Sequence, residues 1–287
     1  MKRWLIVSLC LAWSVAALAA ENESADKQLQ SSMLVTGSIV LAPNGTTQSY
    51  TLDHRDKLPS FVADLIDKGA HVWRFEPILL DGKPVAAKAD MSLRIVARRI
   101  DKDHISVRIA GAQFGQEAGP GAAGEAISMK RRTPIVYPQM AQRDHVSGVV
   151  YLLLRVGRDG LVSDAVTQQV NLRAIGGAGE MNRWRRTLAD AALRSARNWT
   201  FNTPTHGKHA GDKYWLARVP INFNLNVMGA PKHSDYGEWD TYVPGPIEPV
   251  MWPDPDGMIS SNIDAQPEDG LYQPDRALRL VTPLNGA

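Results

Sequence analysis

Apolar residues alternate with others at Val35, Gly37, Ile39 and Leu41, and again through Tyr50 and Leu52, with Pro43-Asn44-Gly45 between the two runs. A period of two broken by a turn tripeptide predicts a β-hairpin. The period then changes. Leu58, Phe61, Val62, Leu65 and Ile66 fall at i, i+3, i+4, i+7 and i+8, the spacing of one helix face, and Gly69 stands where such a helix would stop. Trp73, Phe75 and Pro77 follow. After the Asp81-Gly82 turn, Met91, Leu93, Ile95 and Ala97 alternate with Ser92, Arg94 and Arg98, and Ile105, Val107 and Ile109 return as a second hairpin.

The same order recurs further along. Gly148 opens a strand through Tyr151 and Leu153, Asp159-Gly160 turns it, and Leu161 to Val166 runs back. Leu188, Ala191, Ala192, Ala196 and Trp199 share a helix face while Asp190, Arg194 and Arg197 point away. Thr187 with Asp190 three residues on resembles a capping box at the helix start. Trp199, Phe201 and Pro204 match Trp73, Phe75 and Pro77. Trp215, Ala217, Val219, Ile221, Phe223 and Leu225 then alternate with Leu216, Arg218, Pro220, Asn222, Asn224 and Asn226, which predicts one buried face and one wet face. The expected fold class is α+β: an internal duplication of a small antiparallel sheet covered by one helix, with Trp73 and Trp199 in the cores.

The rest of the chain punctuates these units. Lys2 and Arg3 precede an apolar run from Trp4 to Ala20 ending in Ala17-Leu18-Ala19, which predicts an export signal over residues 1–19. An uncleaved signal would instead be an anchor. Cys10, the only cysteine, lies inside it, so a mature chain would lack thiolate chemistry. Residues 30–114 form the first expected module, 115–130 a Gly-rich linker, 131–227 the second module and 228–287 an extended acidic tail. The tail holds 9 of the 18 prolines, and its Trp239, Tyr242 and Trp252 are aromatic residues placed to lie along the folded part. Residues 130–227 carry 15 basic and 6 acidic side chains against 3 and 10 in residues 228–287, so the tail is a ready partner for the second module.

Tyr137-Pro138 with Ala141, the run VVYLLLRVGRDGLVSDAV over 149–166, the helix ending Trp199-Thr200-Phe201 and VPINFNL over 219–225 together resemble the C-terminal domain of the TonB energy transducers. The resemblance covers about residues 132–227, and the first module resembles a weaker copy without the Tyr-Pro segment. It implies a periplasmic, non-enzymatic protein. It further implies that an extended peptide from an outer-membrane receptor, or from another envelope protein, pairs with the edge of the sheet. Arg218, Pro220, Asn222, Asn224 and Asn226 are the expected partner-binding positions, since a polar strand stays soluble with a free edge and Pro220 suits an edge. The alternative is an edge covered or paired within the chain. The tail segment ALRLVTPL over 277–284 is short, alternating and tethered, a competitor for that edge. This chain departs from the family in having no His within residues 4–20 and a module where the transducers have a spacer. A scaffold without energy transduction is therefore the second functional reading.

The stretch 171–187 lengthens the connection before the helix, and its Arg183, Arg185 and Arg186 form a candidate cluster for an anionic partner. Catalytic chemistry finds no support. No nucleophile elbow, zincin helix, Walker loop or Cys-His zinc spacing occurs. Gly119, Gly121 and Gly124 match a dinucleotide fingerprint in letters alone, and His206 and His209 sit in a Gly-rich turn without a ligand set. No cofactor, metal, small-molecule substrate or nucleic-acid partner is expected.

Overall fold

The computed structural model describes residues 29–115, 124–225, 235–254, 259, 262–268 and 270–285. The expected signal, residues 1–19, lies outside them. The architecture is α+β. Strands β1 (Gln30–Leu41) and β2 (Thr47–Leu52) form the first hairpin, followed by helix α1 (Ser60–Val72), the short pair β3 (Ile78–Leu80) and β4 (Lys83–Val85), then β5 (Ala87–Arg99) and β6 (Ile105–Phe114). Next come β7 (Ser128–Arg131), α2 (Gln139–Arg143), β8 (Gly148–Gly157), β9 (Val162–Leu172), α3 (Ala178–Ala196), β10 (Thr200–Asn202), β11 (Tyr214–Phe223) and β12 (Asp240–Tyr242).

The first sheet is ordered β12-β1-β5-β6, with β2 also paired to β1. β2 lies along Gly37–Leu41 and β12 along Gln30–Ser32. The second sheet is ordered β11-β8-β9, and β7 pairs with β10 beside it. Each sheet has its own core. Val35, Ile39, Leu93 and Ile95 pack against Val62 and Ile66 of α1 around Trp73. Val150, Leu152, Leu154 and Ile221 pack against Leu188 and Ala192 of α3 around Trp199.

The same backbone contacts recur in both. Gly45 at φ 78° accepts a hydrogen bond from the Phe75 N–H at 2.8 Å, and Gly160 at φ 75° accepts one from Phe201 at 2.8 Å. A Cβ would stand 2.0 Å from the Phe75 carbonyl oxygen at the first turn and 2.2 Å from that of Phe201 at the second. Left-handed backbone and a crossing chain both demand glycine there. Gly37 and Gly148 likewise lie against the Thr51 and Asn171 carbonyls.

Local expectations differ from the structure at several points. Gly69 does not stop α1, which runs on to Val72. Thr187 sits mid-helix, its hydroxyl donating back to the Arg183 carbonyl at 2.9 Å, because α3 begins at Ala178 inside the stretch read as a long connection. β7 begins within the stretch read as linker and ends at Arg131, the first residue of the second module, and Ile127 just ahead of it is fully buried. The largest difference is the polar face of β11: Arg218 and Pro220 are buried. The reason is the part of the tail around Ile259 and residues 263–265, which lies between the outer faces of the two sheets. Ile263 packs on Val149 and Tyr151, and Ala265 lies 3.3 Å from where a Cβ on Gly111 would be. Tyr242 and Val243 stitch the sheets side by side, Tyr242 pairing with Gln30 of β1 and Val243 exchanging two backbone bonds with Leu172 of β9.

Gly45→Ala and Gly160→Ala should each destabilise the protein by at least about 1–3 kcal/mol, the usual cost of left-handed strain, before the clash is counted. Equilibrium unfolding in urea checks this; an unchanged midpoint in either variant would show that the turn relaxes freely.

Candidate docking edge

β11 pairs with β8 from Tyr214 opposite Gly157 to Phe223 opposite Gly148, and its other edge faces away from the sheet. Antiparallel pairing sends backbone groups of alternate residues to opposite edges. Arg218 points outward: its N–H donates to the Tyr272 carbonyl at 2.7 Å and its carbonyl accepts from the Tyr272 N–H at 2.9 Å. By parity the backbone of Leu216, Pro220 and Asn222 also points outward, and Pro220 has no N–H to offer.

The side chains of the expected site have other work. Arg218 is 1% exposed. Its Nε donates to Gln168 Oε1 at 2.9 Å and its Nη2 to the Ile259 carbonyl, while Gln168 Nε2 donates to the same carbonyl at 2.7 Å. Burial lowers the Arg218 pKa to about 10, partly offset by Asp254 and Asp264. A solvated docking side chain it is not, because the tail has closed over it. Asn222 accepts from Arg173 Nη1 at 2.8 Å, and Arg173 also donates to Asp240 at 2.5 Å and to Glu268. Asn224 is half-buried just past the strand, and Asn226 lies outside the described residues.

The three arginines of α3 do not converge. Arg183 is exposed and 3.9 Å from Glu180, and Arg186 is exposed as well. Arg185 turns inward, with Nε at 3.3 Å from the Val170 carbonyl and Nη2 at 3.3 Å from that of Pro244. Burial lowers its pKa. It therefore fastens the tail to β9. Trp184 between them is buried and donates to Asp144 at 3.0 Å.

A polar node between the sheets was not legible in the alternation. Arg94, read as an outward residue of β5, is buried, with Nε donating to the Asp264 carbonyl at 2.9 Å and Nη2 lying 3.4 Å from the Tyr151 hydroxyl. Asn171 Nδ2 reaches the Asp264 carboxylate at 3.2 Å, and the Tyr242 hydroxyl donates to it. Burial works against the charge on Arg94, but Tyr151 and Asp264 outweigh it and raise its pKa. The one sequence signal was Asp264 itself, a tail carboxylate of sign opposite to the arginines it meets.

Further along the tail, Trp252 lies over Arg155 at 4.8 Å and donates to Asp164 at 3.1 Å, while Arg155 Nη2 donates to Asp164 at 2.9 Å. Trp239 stacks on Phe61 at 6.4 Å. Segment 277–284, expected as a competitor for the β11 edge, lies elsewhere: Leu280 pairs with Phe75 near α1, and Tyr272 takes the β11 edge instead.

Over 101 residues the chain is 35% identical to the proteins named TonB of two strains of Xanthomonas campestris pv. campestris. The match takes in 35% of this chain and spans 39% of the length of those relatives. No family model matches the chain, and no solved structure does. Among the described residues no helix is long and apolar enough to cross a membrane.

Two outcomes follow from the closed edge. Arg218→Met leaves Gln168 Oε1 and the Ile259 carbonyl without their charged donor and should cost about 2–3 kcal/mol in urea unfolding; a loss below experimental error would show the clamp to be dispensable. Burial resists ionisation of Asp164, but its bonds from Arg155, the Ala165 N–H and Trp252 prevail and hold its pKa below the ordinary carboxylate value. Its stabilisation is thus complete above about pH 4 and lost as pH falls through the lowered value. Trp252 fluorescence should change in that window, and Asp164→Asn should abolish the step.

Proposed function

We propose that this is an exported, non-catalytic interaction protein of the TonB type, acting in the periplasm in envelope energy transduction or TonB-dependent transport. Its partner is an extended peptide of an outer-membrane receptor or another envelope protein, added as a strand to the outer edge of β11. In this reading residues 1–19 are a cleaved leader, residues 30–114 and 131–227 are related modules, and residues 228–287 are a tail that belongs to the binding mechanism.

The single observation that carries the reading is that β11 ends its sheet and meets the tail through the two backbone bonds of Arg218 and Tyr272. A visiting strand gains ladder hydrogen bonds there without a preformed pocket. The tail is then an internal competitor, and apparent affinity falls by the fraction of molecules in which it is closed. The similarity to TonB over 101 residues supports the same reading. The burial of Arg218 beneath the tail favours the second reading, a scaffold in which the closed edge never opens.

The test uses the full chain. Tyr272→Pro removes the N–H that the Arg218 carbonyl accepts, so labelled receptor N-terminal peptides should bind the variant at least about 10-fold more tightly than the parent, equivalent to about 1.4 kcal/mol. If neither protein binds any such peptide while both remain folded, the scaffold reading replaces the first.

A further inference from the structure

The two aromatic plugs find their acceptors in widely separated stretches of the chain. Trp199 Nε1 donates to the Thr133 carbonyl at 3.0 Å, just after β7. Trp73 Nε1 donates to the Leu284 carbonyl at 3.0 Å, 211 residues away. The surroundings correspond as well. Phe201 pairs with Met129 of β7, four residues before Thr133, and Phe75 pairs with Leu280, four residues before Leu284. Thr200 pairs with Arg131, and the Arg74 carbonyl accepts from the Val281 N–H at 2.7 Å.

The C-terminal segment fits this groove along its length. Leu278, Leu280 and Leu284 pack against the core of the first sheet, as Met129 and Ile135 do against that of the second. The Leu278 N–H donates to the Phe114 carbonyl at 2.7 Å, and the Glu76 N–H to the Arg279 carbonyl at 3.0 Å. Asn285 closes the end of the groove: its Oδ1 accepts from the Ile109 N–H at 2.8 Å and its Nδ2 donates to the Ile109 carbonyl at 2.9 Å. Gly69 is accounted for by the same passage. A Cβ on it would lie 3.2 Å from the Leu284 carbonyl oxygen and 3.2 Å from the Trp73 ring, so the helix gives up a side chain where the segment crosses.

We infer that the groove between α1, Trp73–Phe75 and β6 is a strand-accepting site, and that the first unit takes residues 278–285 in the place that residues 127–134 hold in the second. The fitting partner is an extended segment with apolar side chains at the positions of Leu278, Leu280 and Leu284 and a primary amide at that of Asn285. The first unit is thus assembled from residues 30–114 together with 278–285, which stand where the second unit has the strand that precedes its Tyr-Pro segment. The inference is independent of what the β11 edge binds.

Two measurements test it together. In the intact protein, the Leu278 and Val281 amides should exchange with solvent about a thousand-fold more slowly than in a free peptide of residues 276–287, in step with the amides of β5. A chain ending at Ala277 should bind that peptide, labelled for fluorescence anisotropy, and Leu280→Asp in the peptide should weaken binding at least about 10-fold. Exchange at the free-peptide rate in the intact protein would overturn the inference. So would a truncated chain that stays folded and fails to bind the peptide, or binds both peptides equally. A truncated chain that does not fold, with protected amides in the intact protein, would support it, because a unit lacking its closing strand is the expected cause. Asn285→Ala in the full chain should speed exchange of the Ile109 amide at least about 10-fold; no change there would remove Asn285 from the partner's required features.

Discussion

A guanidinium enclosed between two sheets is tolerable only where its donors are met, since removing one partner of a buried charge costs several kcal/mol. Arg94 is in that position, and Asp264, from the opposite end of the chain, meets it. The arrangement around it follows. The outer face of β5 turns toward the outer face of β8 because Tyr151 is its neighbour, and the tail must thread between them to deliver Asp264. With Asp264 placed, Ile263 covers Val149, Ile259 reaches Arg218, and Tyr272 lies against the edge of β11.

Around Ile259 and residues 263–265 the tail is thus a middle layer, and its contacts are of unequal kinds. Around Arg94, Arg173 and Arg218 it is held by buried polar groups, which are costly to separate. At the β11 edge it is held by a pair of backbone bonds, each worth a net 0.5–1.5 kcal/mol or so. Tyr272 is itself buried there, its hydroxyl donating to the Pro267 carbonyl at 3.2 Å, and Arg218 belongs to both the edge and the buried polar groups.

Sequence periodicity reads out which face of an element is apolar, and it placed three hairpins, both main helices and the two tryptophan plugs. It cannot tell whether the polar face is wet. Arg94 and Arg218 occupy positions that alternate with core residues in the ordinary way, and only the tail, remote in sequence, makes them dry. Gly69 was misread for the same reason: nearby residues suggest a helix stop, while the cause is Leu284. Thr187 has the letters of a cap, yet Ala178 to Arg186 continue the helix ahead of it, with Trp184 buried against the second core. β7 escaped because four residues with no apolar alternation reveal a strand only through their partner β10.

Pro220 gives the outer edge of β11 an asymmetry. Along an ordinary edge, donors and acceptors repeat every two residues, so a guest sliding by two finds the same pattern again. Here one donor is missing, and in the proposed complex a guest carbonyl arriving opposite it would be left wanting. Slides by two would then be unequal in energy, and the gap would act as a ruler mark favouring a single alignment of the guest.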